Sequence, residues 1–210
     1  MLKADETHWF VMRIRNSSIV RLQTMMERLN HEDNIYETYA PLKYIKVSKT
    51  KMDFAPFLLN YLFVRSDFQK LVKVKSNQEM FEPLRFVMHP VSNENFRRHV
   101  EPLFISDKSM HDYMRMTKEE NDRIVFLDNM QFANKVSKGV QITEGEFAGI
   151  IGRIKRIKGL RCVVLPIGNE MAAAVVDVPN KYLRYLTDEE VREIEEQEEQ
   201  ERKESKYIKV

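Results

Sequence analysis

Apolar residues recur along this chain at two periods, and the switches between them mark its elements. His8-Trp9-Phe10-Val11-Met12-Arg13-Ile14 is aromatic and β-branched, which predicts a strand. Ile19, Leu22, Met26 and Leu29 then follow at spacings of three and four, the stripe of an amphipathic helix. Asn16-Ser17-Ser18 supplies its N-cap candidates, and the polar run Asn30 to Asn34 ends it. Ile35 to Val47 is mostly strand-like, with Pro41 at an edge or bend. Ser48 to Asp53 is basic and polar and predicts a hairpin tip. Asn60 to Arg65 is a second strong strand, and Asp67 to Lys75 a short helix. Leu84 to Met88 is a third strand closed by Pro90, and Ser92 caps a helix carrying Phe96, Val100 and Leu103. The order β–α–β–β–α–β–α predicts an α/β domain with an antiparallel sheet, ending near residue 106.

The second half changes character. Ser109 to Asn121 carries Met110, Tyr113 and Met114 at helical spacing, and Ile124 to Leu127 is a short apolar run. The segment 107–133 is expected to be a linker, partly helical and partly ordered by packing on one of the domains. Residues 139–152 then hold four of the chain's six glycines. Val140 and Ile142 share one strand face, Glu144-Gly145 makes a turn, and Phe147 re-enters the core. Gly149 and Gly152 flank Ile150-Ile151, where a small barrel needs a bend or a close backbone approach. Short strands at Arg161 to Leu165 and Ala172 to Val178 complete the pattern of a small β-barrel. Thr187-Asp188-Glu189-Glu190 fits a capping box and opens a Glu-rich helix.

Composition narrows the classes. Of 210 residues, 43% are hydrophobic and 31% charged, as in ordinary globular chains. No apolar run approaches the roughly 18–20 residues of a membrane helix, and the first residues lack the apolar core of a signal peptide. Cys162 stands alone, so no intramolecular disulfide forms. A cytoplasmic protein without membrane contact is expected. The net charge of +2 divides unevenly: residues 188–210 carry −5 and the rest +7. A mildly basic body is compatible with work near nucleic acid, as it is with many other functions. The chain has no phosphate-binding Gly-x-x-x-x-Gly-Lys-Ser/Thr loop, His-Glu-x-x-His, Cys-x-x-Cys or Gly-x-Ser-x-Gly motif. Its histidines have no metal-ligand spacing. Neither an enzyme nor a metal or cofactor site is expected, and Cys162 reads as a buried small hydrophobe.

Trp9-Phe10-Val11 and the strand Pro56-Phe-Leu-Leu-Asn-Tyr-Leu-Phe-Val64, followed by the glycine-spaced block 139–152, resemble the NusG family of transcription elongation factors. The first half is similar to the family's NGN domain and the second to its KOW barrel. The resemblance implies an α+β chain with four parts: an NGN-like α/β sandwich over 7–106, a linker over 107–133, a KOW-like β-barrel over 134–187 and an acidic helical tail over 188–210. Asn60, where general members have glycine, together with the linker and tail, resembles specialised RfaH-type antiterminators of polysaccharide operons.

Members of the family are not enzymes. The resemblance implies that Leu58, Tyr61 and Phe63 dock on the clamp helices of RNA polymerase; the alternative for these side chains is core packing. Arg13 stands where an aromatic patch residue is usual, and an acidic group on the clamp helices would suit it. Trp9 is expected in the core. Lys73 and Lys75 are candidates for polymerase or DNA, and Lys43 and Lys46 for upstream or non-template DNA. Arg153, Lys155, Arg156 and Lys158 form a basic hairpin for nascent RNA or a ribosomal protein; a solvated surface is the plainer reading of each basic group. Two other functions stay open. One is a general NusG factor coupling polymerase to the ribosome or a termination factor, and the other an RNA- or ribosome-binding KOW module.

Overall fold

The computed structural model describes residues 7–15, 18–46, 52–56, 61–77, 79–92, 98–118, 123–127, 138–157, 159–167 and 171–205. Its fold is mixed α+β, with antiparallel sheets and four helices among the described residues. The backbone divides into two compact units after Asp107.

The first unit runs β1 (His8–Ile14), α1 (Ile19–Asn30), β2 (Ile35–Tyr39), β3 (Leu42–Lys46), β4 (Met52–Pro56), β5 (Tyr61–Ser66) and α2 (Phe68–Asn77). A 3-10 turn at Glu79–Phe81 leads into β6 (Leu84–Phe86), β7 (Met88–Ser92), β8 (Arg98–Pro102) and β9 (Phe104–Ile105). Strands order as β2-β5-β1-β6, and β9 also pairs with β1. Ser18 caps α1, its hydroxyl accepting from the Arg21 amide at 3.2 Å. Leu22, Met25 and Leu29 form the buried stripe of α1, while Met26 is only partly buried. The Asp67 carboxylate accepts from the Lys70 amide at 3.0 Å and so opens α2. Both helices pack on one side of the sheet. That core holds Phe10, Met12 and Ile14 of β1, Leu62 and Val64 of β5, and Leu71 and Val74 of α2.

The helix expected after Ser92 does not form. β7 and β8 make a hairpin instead, in register from Met88–Pro102 to Ser92–Arg98. Phe96, Val100 and Leu103 have helical spacing, but Val100 is 62% exposed and offers no buried stripe. Met52 to Pro56 likewise forms a strand of its own, pairing with β3 from Leu42–Pro56 to Lys46–Met52. The expected tip between them lies mostly outside the described residues.

The second unit contains α3 (Asp107–Lys118, which begins at the division), β10 (Ile124–Leu127), β11 (Gly139–Ile142), β12 (Ile151–Ile157), β13 (Leu160–Ile167) and β14 (Met171–Val176). A 3-10 turn at Asn180–Tyr182, β15 (Leu183–Tyr185) and α4 (Asp188–Ser205) complete it. Its six strands order as β10-β14-β13-β12-β11-β15. Thus Ile124–Leu127, within the segment expected to be a linker, is an edge strand of this sheet. Val140, Ile142 and Phe147 are buried, as the glycine-spaced block predicts, and Ile150 is buried with them. Gly145 has φ +87°, which a turn there demands of a glycine. Gly152 allows close approach: a Cβ there would fall 2.6 Å from the Val164 carbonyl oxygen. No described helix is long and apolar enough to cross a membrane.

Candidate functional site

Side chains directly opposite one another in an antiparallel pair share a sheet face. Trp9 opposes Arg65, Val11 opposes Phe63 and Arg13 opposes Tyr61 across β1 and β5. Tyr39 of β2 opposes Phe63, and Ile105 of β9 opposes Trp9. These residues occupy the sheet face away from α1 and α2. Three of the sequence-predicted site residues, Arg13, Tyr61 and Phe63, therefore come together there.

The face has an apolar centre and a cationic edge. Phe63 is fully buried, Trp9 and Val11 are buried, and Tyr61 is 6% exposed. The rings of Tyr39 and Phe63 lie 6.5 Å apart, tilted by 47°. The Arg13 guanidinium sits 4.9 Å from the Tyr61 ring centroid and also donates to the Tyr61 hydroxyl. That arrangement gives a cation over an aromatic face and fixes both side chains. Arg13 is nevertheless exposed. Across the strand pair, Arg13 opposes Arg85 of β6. Like charges in that position repel, and Glu82 relieves the repulsion by pairing with Arg85. The hydrogen bond from Arg85, then its charge, hold the Glu82 carboxyl below the ordinary 4.5. Arg65, at the other end, donates to both Asp107 oxygens, at 3.2 and 2.9 Å.

The remaining candidates are not among these facing residues. Leu58 and Lys158 are outside the described residues. On α2, Lys73 is exposed and Lys75 half-buried, with Leu71 and Val74 facing the core. Lys43 and Lys46 stand opposite Ala55 and Met52 in the β3–β4 ribbon. In the second unit Arg153 pairs with Glu195 of α4. Lys155 is half-buried and Arg156 exposed, opposite Arg161.

Sequence reasoning missed Arg65 and Tyr39 as parts of the aromatic face, although alternation from Tyr61 and Phe63 places Arg65 on the same side. The pairing of Arg153 with the acidic helix had no local signal, because the two residues are 42 positions apart. Among the described residues, no group of three or more His, Cys, Asp or Glu is placed to hold a metal ion. Burial raises the Cys162 thiol above its ordinary value, which disfavours the reactive thiolate.

No family model matches the chain, and no curated protein matches it. Among solved structures, NusG of Thermotoga maritima, determined in a study of its domain interaction, aligns with a TM-score of 0.45 and 16% identity. The alignment covers 87% of this chain and 98% of that one.

Proposed function

We propose that this chain is a NusG-like transcription elongation factor that binds RNA polymerase through the face of Trp9, Val11, Tyr61 and Phe63. Arg13 meets an acidic group on the polymerase clamp helices. The observation that carries this reading is the Arg13–Tyr61 pair at the edge of an aromatic sheet face. The sequence resemblance at Trp9-Phe10-Val11 and Tyr61-Leu62-Phe63-Val64 supports it. Aromatic and arginine side chains are the usual anchors of interfaces, and a pre-positioned guanidinium recognises a carboxylate with little further ordering.

Phe63 is fully buried and Tyr61 nearly so, hence the centre of the face engages a partner only in an uncovered state. Binding then pulls the protein toward that state. By the same logic, a factor that binds the elongating polymerase better than the paused one lowers pause occupancy by its differential affinity. A coupling of about 1–3 kcal/mol changes occupancy five-fold or more. The proposed action is antitermination on particular operons, polysaccharide loci among them. Asn60, next to Tyr-Leu-Phe-Val in the sequence, and the added acidic helix support that specialised reading.

The test is site-specific photo-crosslinking from position 13 in the full chain, mixed with core RNA polymerase. Capture of the clamp helices is expected. Crosslinks confined to other polymerase regions, or to nucleic acid alone, would overturn the assigned face.

A further inference from the structure

The aromatic face of the first unit ends in two arginines. Arg13 of β1 stands opposite Tyr61 of β5 on one side and opposite Arg85 of β6 on the other. Tyr61, Arg13 and Arg85 therefore form a row across one sheet face, the face that also carries Val11 and Phe63. Each arginine is held by its own neighbour. The Tyr61 ring and hydroxyl fix Arg13. The Arg85 guanidinium donates to the Glu82 carboxylate, to the Glu82 carbonyl and, at 2.9 Å, to the Leu84 carbonyl. Both arginines are exposed.

Two guanidinium groups opposite one another repel in the free chain. Glu82 brings one negative charge to this corner, while Arg15 and Lys75 add their positive fields to that of Arg85 at the same carboxylate. The corner stays cationic and attracts further carboxylates. Its spacing selects how they are presented. Residues directly opposite in an antiparallel pair have Cβ atoms about 4.5–5.5 Å apart. Residues three or four apart on a helix have Cβ atoms about 5–6 Å apart. Two acidic residues one turn apart on a helix thus match the two arginines side by side, with one planar guanidinium for each carboxylate. The Glu82 carboxylate already seated on Arg85 shows that its guanidinium is oriented for this chemistry. The apolar centre of the same face, with Trp9, Val11 and Phe63, suits a protein helix better than a phosphate backbone.

We propose that Arg13 and Arg85 form a two-cation clamp for a pair of acidic residues, one turn apart, on the helix that docks on this face. Arg85 is then a specificity-determining residue, since a helix with a single acid at this place engages only half of the clamp. This inference rests on polymerase binding by the same face.

The experiment measures the affinity of the full chain for an isolated clamp-helix fragment of RNA polymerase. Arg85→Gln should weaken binding about five-fold or more, and Arg85→Lys, which keeps the charge without the planar fork, should recover part of the loss. Arg28→Gln, at an exposed position of α1, should change it by less than about two-fold. The carboxylates of the fragment are then replaced one at a time by amides. Two positions three or four residues apart should each weaken binding, one losing its effect in Arg13→Gln and the other in Arg85→Gln. Circular dichroism confirms that each variant keeps its fold. Equal affinity of Arg85→Gln and the unmodified chain would overturn this inference and leave the polymerase reading standing. A single coupled carboxylate, or two that are not one turn apart, would do the same. No binding by the unmodified chain would overturn both. A labelled single-stranded oligonucleotide titrated in parallel should be indifferent to Arg85→Gln; a loss equal to that for the fragment would assign the cations to phosphate and overturn the carboxylate clamp.

Discussion

Phe63 shows how far a single side chain can be read from its neighbours. Alternation along Tyr61-Leu62-Phe63-Val64 places Tyr61 and Phe63 on one face and Leu62 and Val64 on the other, and the β1 register agrees. Alternation says which side chains share a face, however, and not what lies over it. Phe63 is fully buried, so its truncation acts on stability before it acts on binding. Phe63→Ala should cost about 3–5 kcal/mol, measured as a shift in the urea midpoint, and an unchanged midpoint would contradict the packing described. Gly152 gives a second prediction at this scale. The obstacle to a Cβ there is the Val164 backbone, which cannot rotate away as a side chain can. Gly152→Ala should lose about 1–3 kcal/mol by overpacking, read by thermal melting of the purified chain. The close approach was legible because glycines bracket Ile150-Ile151 in an otherwise apolar run, although the facing strand was not.

At the scale of elements, legibility follows local chemistry. The start of α4 was readable from Thr187 and Glu190 alone. The Thr187 amide donates to Glu190 at 2.8 Å, and the Glu190 amide donates to the Thr187 hydroxyl at 3.2 Å. Helix α1 was readable from its stripe and from Ser18. The β7–β8 pairing was not legible because Phe96, Val100 and Leu103 stand at helical spacing, a local signal that strand pairing overrides. Strand β10 had too few residues to declare itself, since it forms by pairing with β14 more than 40 positions away. The capping box also carries a pH dependence. The Thr187 amide, then the Arg184 guanidinium, hold the Glu190 carboxyl below its ordinary 4.5. A lowered native value means the ionised form supports the fold. That support is fully present above 4.5 and is lost as pH falls through the native value. Protonating the helix's other carboxylates relieves their mutual repulsion, so the effect of Glu190 is a difference: on acidification through this range far-UV circular dichroism should show the unmodified chain losing helix relative to Glu190→Gln. Glu190→Gln should flatten the part of the response due to this residue. An identical acid response in both proteins would contradict the role given to Glu190.

For the whole molecule, charge and architecture divide the work. The residues before 188 carry a net +7 and those from 188 onward −5. The acidic residues include Glu190 and Glu195, which meet Arg184 and Arg153 within the second unit. The first unit holds the aromatic face with Arg13 exposed at its edge. The two-part sequence pattern was legible because glycine spacing and aromatic strands are local signals. The covered state of the aromatic face was not, because burial depends on contacts that no local spacing encodes. Polymerase binding is the central claim, and Arg13 tests it with least disturbance of the fold, since its side chain is exposed. The decisive measurement is the affinity of the full chain for an isolated clamp-helix fragment of RNA polymerase, with Arg13→Glu beside Arg28→Glu, an exposed residue of α1, as a charge-matched control. The account predicts measurable binding, lost by about ten-fold or more in Arg13→Glu and nearly unchanged in Arg28→Glu. No binding by the unmodified chain, or equal affinity in Arg13→Glu, would contradict it.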